Sequence, residues 1–157
     1  MTINAILIAV QGSGIAHLIS KSNHLVGASL QIVHVLGFVL LLASLVLTSL
    51  RLTGRVFTGR PAAEIVDQAA PLFAVGLTLT LLSGTLMFVS ASALYYFKWA
   101  FQLKMLLLAL AILAHFLIFR RLAHASAPAP AVARLGVAVT LLLWYGTALY
   151  GRLIGFT

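Results

Sequence analysis

Three ionisable side chains lie inside long apolar runs of this chain: His34, Lys104 and His115. Hydrocarbon offers a polar group no partner, so an ionisable residue at membrane depth is costly and is a functional candidate by default. An imidazole in that setting can hold a haem iron through a neutral ring nitrogen, carry a proton, or pack as a hydrogen-bonded polar residue. A lysine there either lifts its ammonium to the headgroups along its aliphatic stem or pairs with an anion such as a haem propionate. On this reading His34 is the leading iron ligand and His115 the second candidate. Lys104 and Arg51 are the candidate charge partners for propionates.

Spacing places these residues on defined faces. Gln31, His34, Gly37, Leu41, Ser44, Thr48 and Arg51 recur every three or four residues, which puts them on one side of a helix. Lys104, Leu108, Ala111 and His115 share another face. Gly76, Thr80, Ser83, Met87 and Ser90 form a third, and Gly136, Thr140, Leu143, Thr147 and Tyr150 a weaker fourth. Small-residue packing, with hydroxyls bonded to their own backbone, accounts for the last two. It does not account for His34, Lys104 and His115. At about 1.5 Å rise per residue His34 and Lys104 come to similar depth, while His115 falls about three turns lower, near Ser44 and Thr48. The resulting offset of roughly 15 Å between the histidines counts against both binding one iron. His34 opposed by Lys104, or by no protein ligand, avoids the difficulty. Gly37, Gly76, Gly84 and Gly136 are small enough to leave room for a porphyrin.

The elements that must position these groups follow from hydropathy. The chain is 62% hydrophobic and 8% charged, against about 25% charged in soluble domains. Apolar runs at 25–50, 71–91, 99–120 and 131–155 each reach the roughly 20 residues needed to cross a bilayer. The expected fold class is therefore all-α, a four-transmembrane-helix bundle occupying residues 1–157 as a single membrane domain. An amphipathic N-terminal helix over about residues 2–20 is expected to lie at the interface. Pro61 is placed to start a short separate helix through Glu64 and Asp67 that ends at Pro71. Residues 125–131 read as an extended connector, and His17, His24 and His124 as interfacial residues.

The formal net charge of +8 does not point to nucleic acid, because the basic residues collect at helix ends rather than along a polar surface. Arg51, Arg55, Arg60, Arg120, Arg121 and Arg134 fall on one side; Lys21, Lys98 and Arg152 fall on the other. The heavier side is expected to be cytoplasmic, with both termini periplasmic and the chain in a bacterial inner membrane. The absence of cysteine removes disulfides and thiolate chemistry. No acid lies within the spans, which argues against a carboxylate proton relay. Only Met87 and Met105 are available there as soft ligands, a poor set for copper. Motifs of soluble hydrolases and nucleotide enzymes are missing. The expected function is a haem b-binding inner-membrane redox protein that exchanges electrons with a partner such as quinone in the bilayer. The alternatives are a non-catalytic subunit of a larger complex or oligomer, and transport of copper or another small solute.

Several pieces of the chain resemble an uncharacterised family of small bacterial four-helix membrane proteins. They are Leu30-Gln-Ile-Val-His34-Val-Leu-Gly37, Leu50-Arg51-Leu52, Arg60-Pro61-Ala-Ala-Glu64, Phe97-Lys-Trp-Ala-Phe-Gln-Leu-Lys104, and Leu143-Trp144 with Gly151-Arg152-Leu-Ile-Gly-Phe156. A looser resemblance connects them with the membrane domain of copper resistance protein D. Another connects them with the J-type, haem-containing protoporphyrinogen oxidase, through His34, Arg51-Leu52, Trp99, Lys104 and His115. The latter resemblance implies a haem b site near His34 and porphyrin-type redox chemistry.

Overall fold

The computed structural model describes residues 2–21, 24–125 and 129–156. Residues 126–128 of the expected connector lie outside that set, as do the side chains of Lys21 and His24. The described residues form helices α1 (Ile3–Gln11), α2 (Gly14–Lys21), α3 (His24–Leu52), α4 (Ala62–Ser90), α5 (Ser92–Tyr95), α6 (Trp99–Ala114), α7 (Arg120–His124) and α8 (Pro130–Leu153). A π-helical turn, His115–Phe119, joins α6 to α7 without interrupting the rod. Four segments are long and apolar enough to cross a membrane: Leu25–Leu52, Ala62–Ser90, Trp99–His124 and Pro130–Leu153. The protein is a multi-pass membrane protein.

The distribution of side chains is that of a protein solvated by lipid. Leu82, Leu135 and Leu142 project outward, while Ser44, Thr48, Thr80, Ser83, His115, Thr140 and Thr147 are buried. Many of the buried hydroxyls satisfy themselves on the preceding turn, as Thr48 does on the Ser44 carbonyl, Thr140 on Gly136 and Thr147 on Leu143. That arrangement costs nothing in hydrocarbon and lets the helix backbones approach.

The helices pair along glycine seams. α3 and α4 meet at Gly37 and Gly76. α8 lies against the third span where Gly136 sits under Ile118 and Leu122, and Gly146 under Leu107. The two pairs are locked together by Trp144, which is fully buried; its ring centroid lies 6.3 Å from that of Phe38 and 5.8 Å from that of Phe73. Leu41, Leu45, Val66, Phe73, Ala111, Phe119, Ala123, Val137 and Trp144 make one core. This core fills the half of the bundle nearest the arginine-rich loops. Towards the opposite end the interior is less closed, and His34, Lys104 and Tyr150 are only partly buried there.

Two features depart from the sequence reading. The helix expected to stop at Pro71 runs through it: α4 is continuous from Ala62, with Pro71 inside. Proline removes one backbone hydrogen bond, but neighbours in a membrane bundle can serve the groups it frees. Val66 and Phe73, on either side of Pro71, both insert into the core, and Ser44 Oγ donates to the nearby Ala69 carbonyl at 2.9 Å. Packing thus holds the segment straight enough to continue. The N-terminal segment is two short helices rather than one, broken at Gly12-Ser13. They sit on the α4–α5 turn, where Ser92 Oγ donates to the Leu7 carbonyl at 2.9 Å and the Ala93 N–H to Gln11 Oε1 at 3.2 Å.

Candidate functional site

His34 is held by α4. Its Nδ1 lies 3.1 Å from Ser83 Oγ. The single Ser83 hydroxyl proton is directed to the Leu79 carbonyl at 2.5 Å, so towards His34 the oxygen offers a lone pair. In the Nδ1–H tautomer the ring donates to that lone pair, and Nε2 is left unprotonated. The Thr80 carbonyl, 3.4 Å from the same hydroxyl, is a further acceptor beside the ring. Gly84 provides the floor: a methyl group built there would lie 2.9 Å from His34 Cε1. Any side chain at residue 84 would push the imidazole off its partner.

Lys104 approaches from the other helix pair. Its stem lies over Gly151, where an added methyl would stand 3.2 Å from Nζ and 3.3 Å from Cε. The only acids in the chain, Glu64 and Asp67, are at the other end of the bundle, paired with Arg60, Arg120 and His124. An ammonium and an imidazole lone pair therefore share one end of the interior, with no carboxylate beside them among the described residues.

His115 belongs to a different place. It starts the π turn, with its ring stacked on Phe73 at 3.8 Å between centroids and 9° between planes, and on Phe119 at 5.6 Å and 21°. It is 7% exposed, and its Nδ1 is buried without a hydrogen-bond partner. It forms one wall of a cavity of about 150 Å³ that also touches Ser44, Thr48, Ala70, Ala74 and Arg120. The α4 residues that contact the two histidines, Ser83 and Phe73, are about 15 Å apart at helical rise. His34 and His115 are thus not brought to a common iron.

Arg51 is not brought to either histidine. Its guanidinium donates through Nε to the Arg60 carbonyl at 2.8 Å, with a second contact from Nη2 to the same oxygen. It ties the α3–α4 loop, whose Gly54 and Phe57 have positive φ. Of the four glycines expected to leave room for a ring, only Gly84 adjoins a candidate ligand. Gly37, Gly76 and Gly136 are occupied by helix packing. Among the described residues, no three of His, Asp and Glu converge as a metal site. Sequence reasoning assigned Ser83 to packing, although its place in the stripe with Gly76 and Thr80 already put it on the inner face. Gly151 carried no signal, because its role depends on where the Lys104 stem lies.

Residues 11–157 match the profile of a family of unknown function, DUF6644. The chain belongs to that family. The matched region includes His34, Ser83, Lys104, His115 and all four spans, so both histidine environments lie within the family's domain. Neither the curated proteins nor the solved structures compared with the chain yielded a match.

Proposed function

We propose that this family member is a haem b-binding redox protein of the bacterial inner membrane, with His34 as the iron ligand. The observation that carries the reading is the His34–Ser83 hydrogen bond. A ligating histidine usually donates its second ring N–H to a fixed acceptor, which sets the tautomer and orients the ring. Ser83 is such an acceptor here, and it leaves His34 Nε2 able to bind a metal. The rest of the donor set suits the same group. Lys104 is the cation for a propionate, and the glycine floor under His34 keeps the ring against Ser83. When bound, haem would supply one-electron chemistry whose potential is set by axial ligation and burial. The protein residues would orient the imidazole and balance charge. His115 is left out of the ligand set.

The decisive measurement is the visible spectrum of protein purified from haem-replete cells. A Soret band with α and β bands on reduction is expected, and His34→Ala is expected to abolish or shift it. Colourless protein with no extractable haem would overturn the reading and favour a non-catalytic subunit of a larger membrane complex.

A further inference from the structure

The cavity at His115 is unused by the haem reading. We propose that it binds the ring of a lipid-soluble quinone or quinol. This names a redox partner for the proposed haem protein and rests on that reading for its purpose, but the binding itself stands on the cavity.

Size comes first. The cavity holds about 150 Å³, and apolar cavities of about that volume accept a single benzene ring. A porphyrin is far too large. The shape of the wall suits a flat ring as well, because Phe73, His115 and Phe119 form a stacked array.

Hydrogen bonding comes next. His115 Nδ1 is buried without a partner, and an unpaired polar group in such a place costs about 1–3 kcal/mol. A quinone carbonyl would accept from an Nδ1–H, and a quinol hydroxyl would donate to an unprotonated Nδ1. The two hydroxyls on the wall do not replace it as donor. Ser44 Oγ–H is directed to Ala69 and Thr48 Oγ–H to Ser44 and Leu45, so both present lone pairs. Those lone pairs suit a quinol hydroxyl. Arg120 pairs with Asp67 through Nη2 at 3.4 Å and keeps further N–H donors on the cavity wall.

Access comes last. Small Ala70 and Ala74 on α4 and Phe116 of the π turn all line the cavity. Ala74 and Phe116 are exposed on the apolar outer surface, Phe116 by 47%. The cavity therefore communicates with the bilayer between α4 and the π turn, a path that would accommodate an isoprenoid tail.

The test is equilibrium binding of a decyl-substituted benzoquinone to the purified protein in detergent, read by quenching of tryptophan fluorescence, with haem content recorded. Trp144, packed on Phe73, lies beside the cavity. Saturable binding is expected whether or not haem is present. His115→Phe should weaken it about tenfold, the loss of one buried hydrogen bond. Ala70→Leu should block the cavity and weaken binding comparably, and it carries the test if His115→Phe fails to fold. An alkylbenzene of the same chain length should compete poorly. Absence of saturable binding, unchanged affinity in folded Ala70→Leu, or equal competition by the alkylbenzene would each overturn the proposal. Haem-free protein that binds the quinone would refute the haem reading alone, and haem-loaded protein that does not bind it would refute this proposal alone.

Discussion

Gly37 and Gly76 are in backbone contact across the α3–α4 seam: a methyl group on Gly76 would lie 2.6 Å from the Gly37 carbonyl oxygen and 2.6 Å from the Leu41 nitrogen. Real side-chain carbons do not approach backbone so closely, and neither atom can move without moving a helix. Gly76→Ala is therefore expected to force the pair apart, at a cost of about 1–3 kcal/mol, the usual range for overpacking. Thermal unfolding in detergent measures it. Because His34 and Ser83 lie further along the same seam, the variant should also lose haem more readily than the parent. Gly14→Ala, with open space around it, is the control and should leave both quantities unchanged.

Ser83→Ala isolates the tautomer argument. The direct stability loss should be small, about 0.5–1.5 kcal/mol for a single hydrogen bond. The effect on cofactor retention should be larger, since removing the partner of a ligating histidine typically weakens binding roughly 10–100-fold. Haem occupancy after dialysis against apomyoglobin, compared with thermal stability of the same sample, separates the two. Equal haem retention in parent and variant would remove Ser83 from the site.

Most of the fold was legible because lipid imposes one strong rule, long apolar runs, and because buried polar residues recur at helical spacing. Gly76, Thr80 and Ser83 shared a face in the sequence and share the buried face of α4. What the sequence did not disclose are choices made by packing. Pro71 signals a break when considered alone, and only the insertion of Val66 and Phe73 into the core overrides it. Arg51 continues the polar stripe of His34, yet the loop that follows offers it the Arg60 carbonyl and turns it away from the interior. The π turn at His115 has no pattern in the residue types, and the stacking of His115 on Phe73 and Phe119 appears only once the helices are packed. His34 and Lys104 were found by type and depth, but their immediate partners, Ser83 and Gly151, could be chosen only in three dimensions.

Both described ends of the chain lie at one end of the bundle. Lys98 Nζ donates to the Ile154 carbonyl at 2.9 Å, and α1 is fastened to the α4–α5 turn through Ser92. The arginine-rich loops lie at the other end. Short basic loops resist translocation, so a C-terminal alkaline phosphatase fusion is expected to be active in the periplasm and a fusion in the Thr53–Arg60 loop inactive. The reverse pattern would invert the molecule and place His34 at the cytoplasmic side.

Lys104 offers the sharpest test of the proposed site. An ammonium at the centre of a membrane helix costs about 2.5–3.5 kcal/mol on insertion scales, and snorkelling reduces that cost. If the side chain only reaches for headgroups, Met should replace it with little change in stability or cofactor content. Its position argues for more: the stem is seated on Gly151, inside the bundle rather than among the headgroups. Lys104→Met is therefore expected to stabilise or leave unchanged the haem-free protein, because a costly charge is removed, while lowering haem occupancy. Lys104→Arg should recover part of the occupancy, since a guanidinium also pairs with a propionate. Gly151→Leu, which obstructs the seat of the stem without touching the charge, should reproduce the Met phenotype in part. Thermal stability and haem content, measured in one detergent for the three variants and the parent, decide the matter. Haem content unaffected in all three would reduce Lys104 to an interfacial anchor and leave His34 without a charged neighbour in its function.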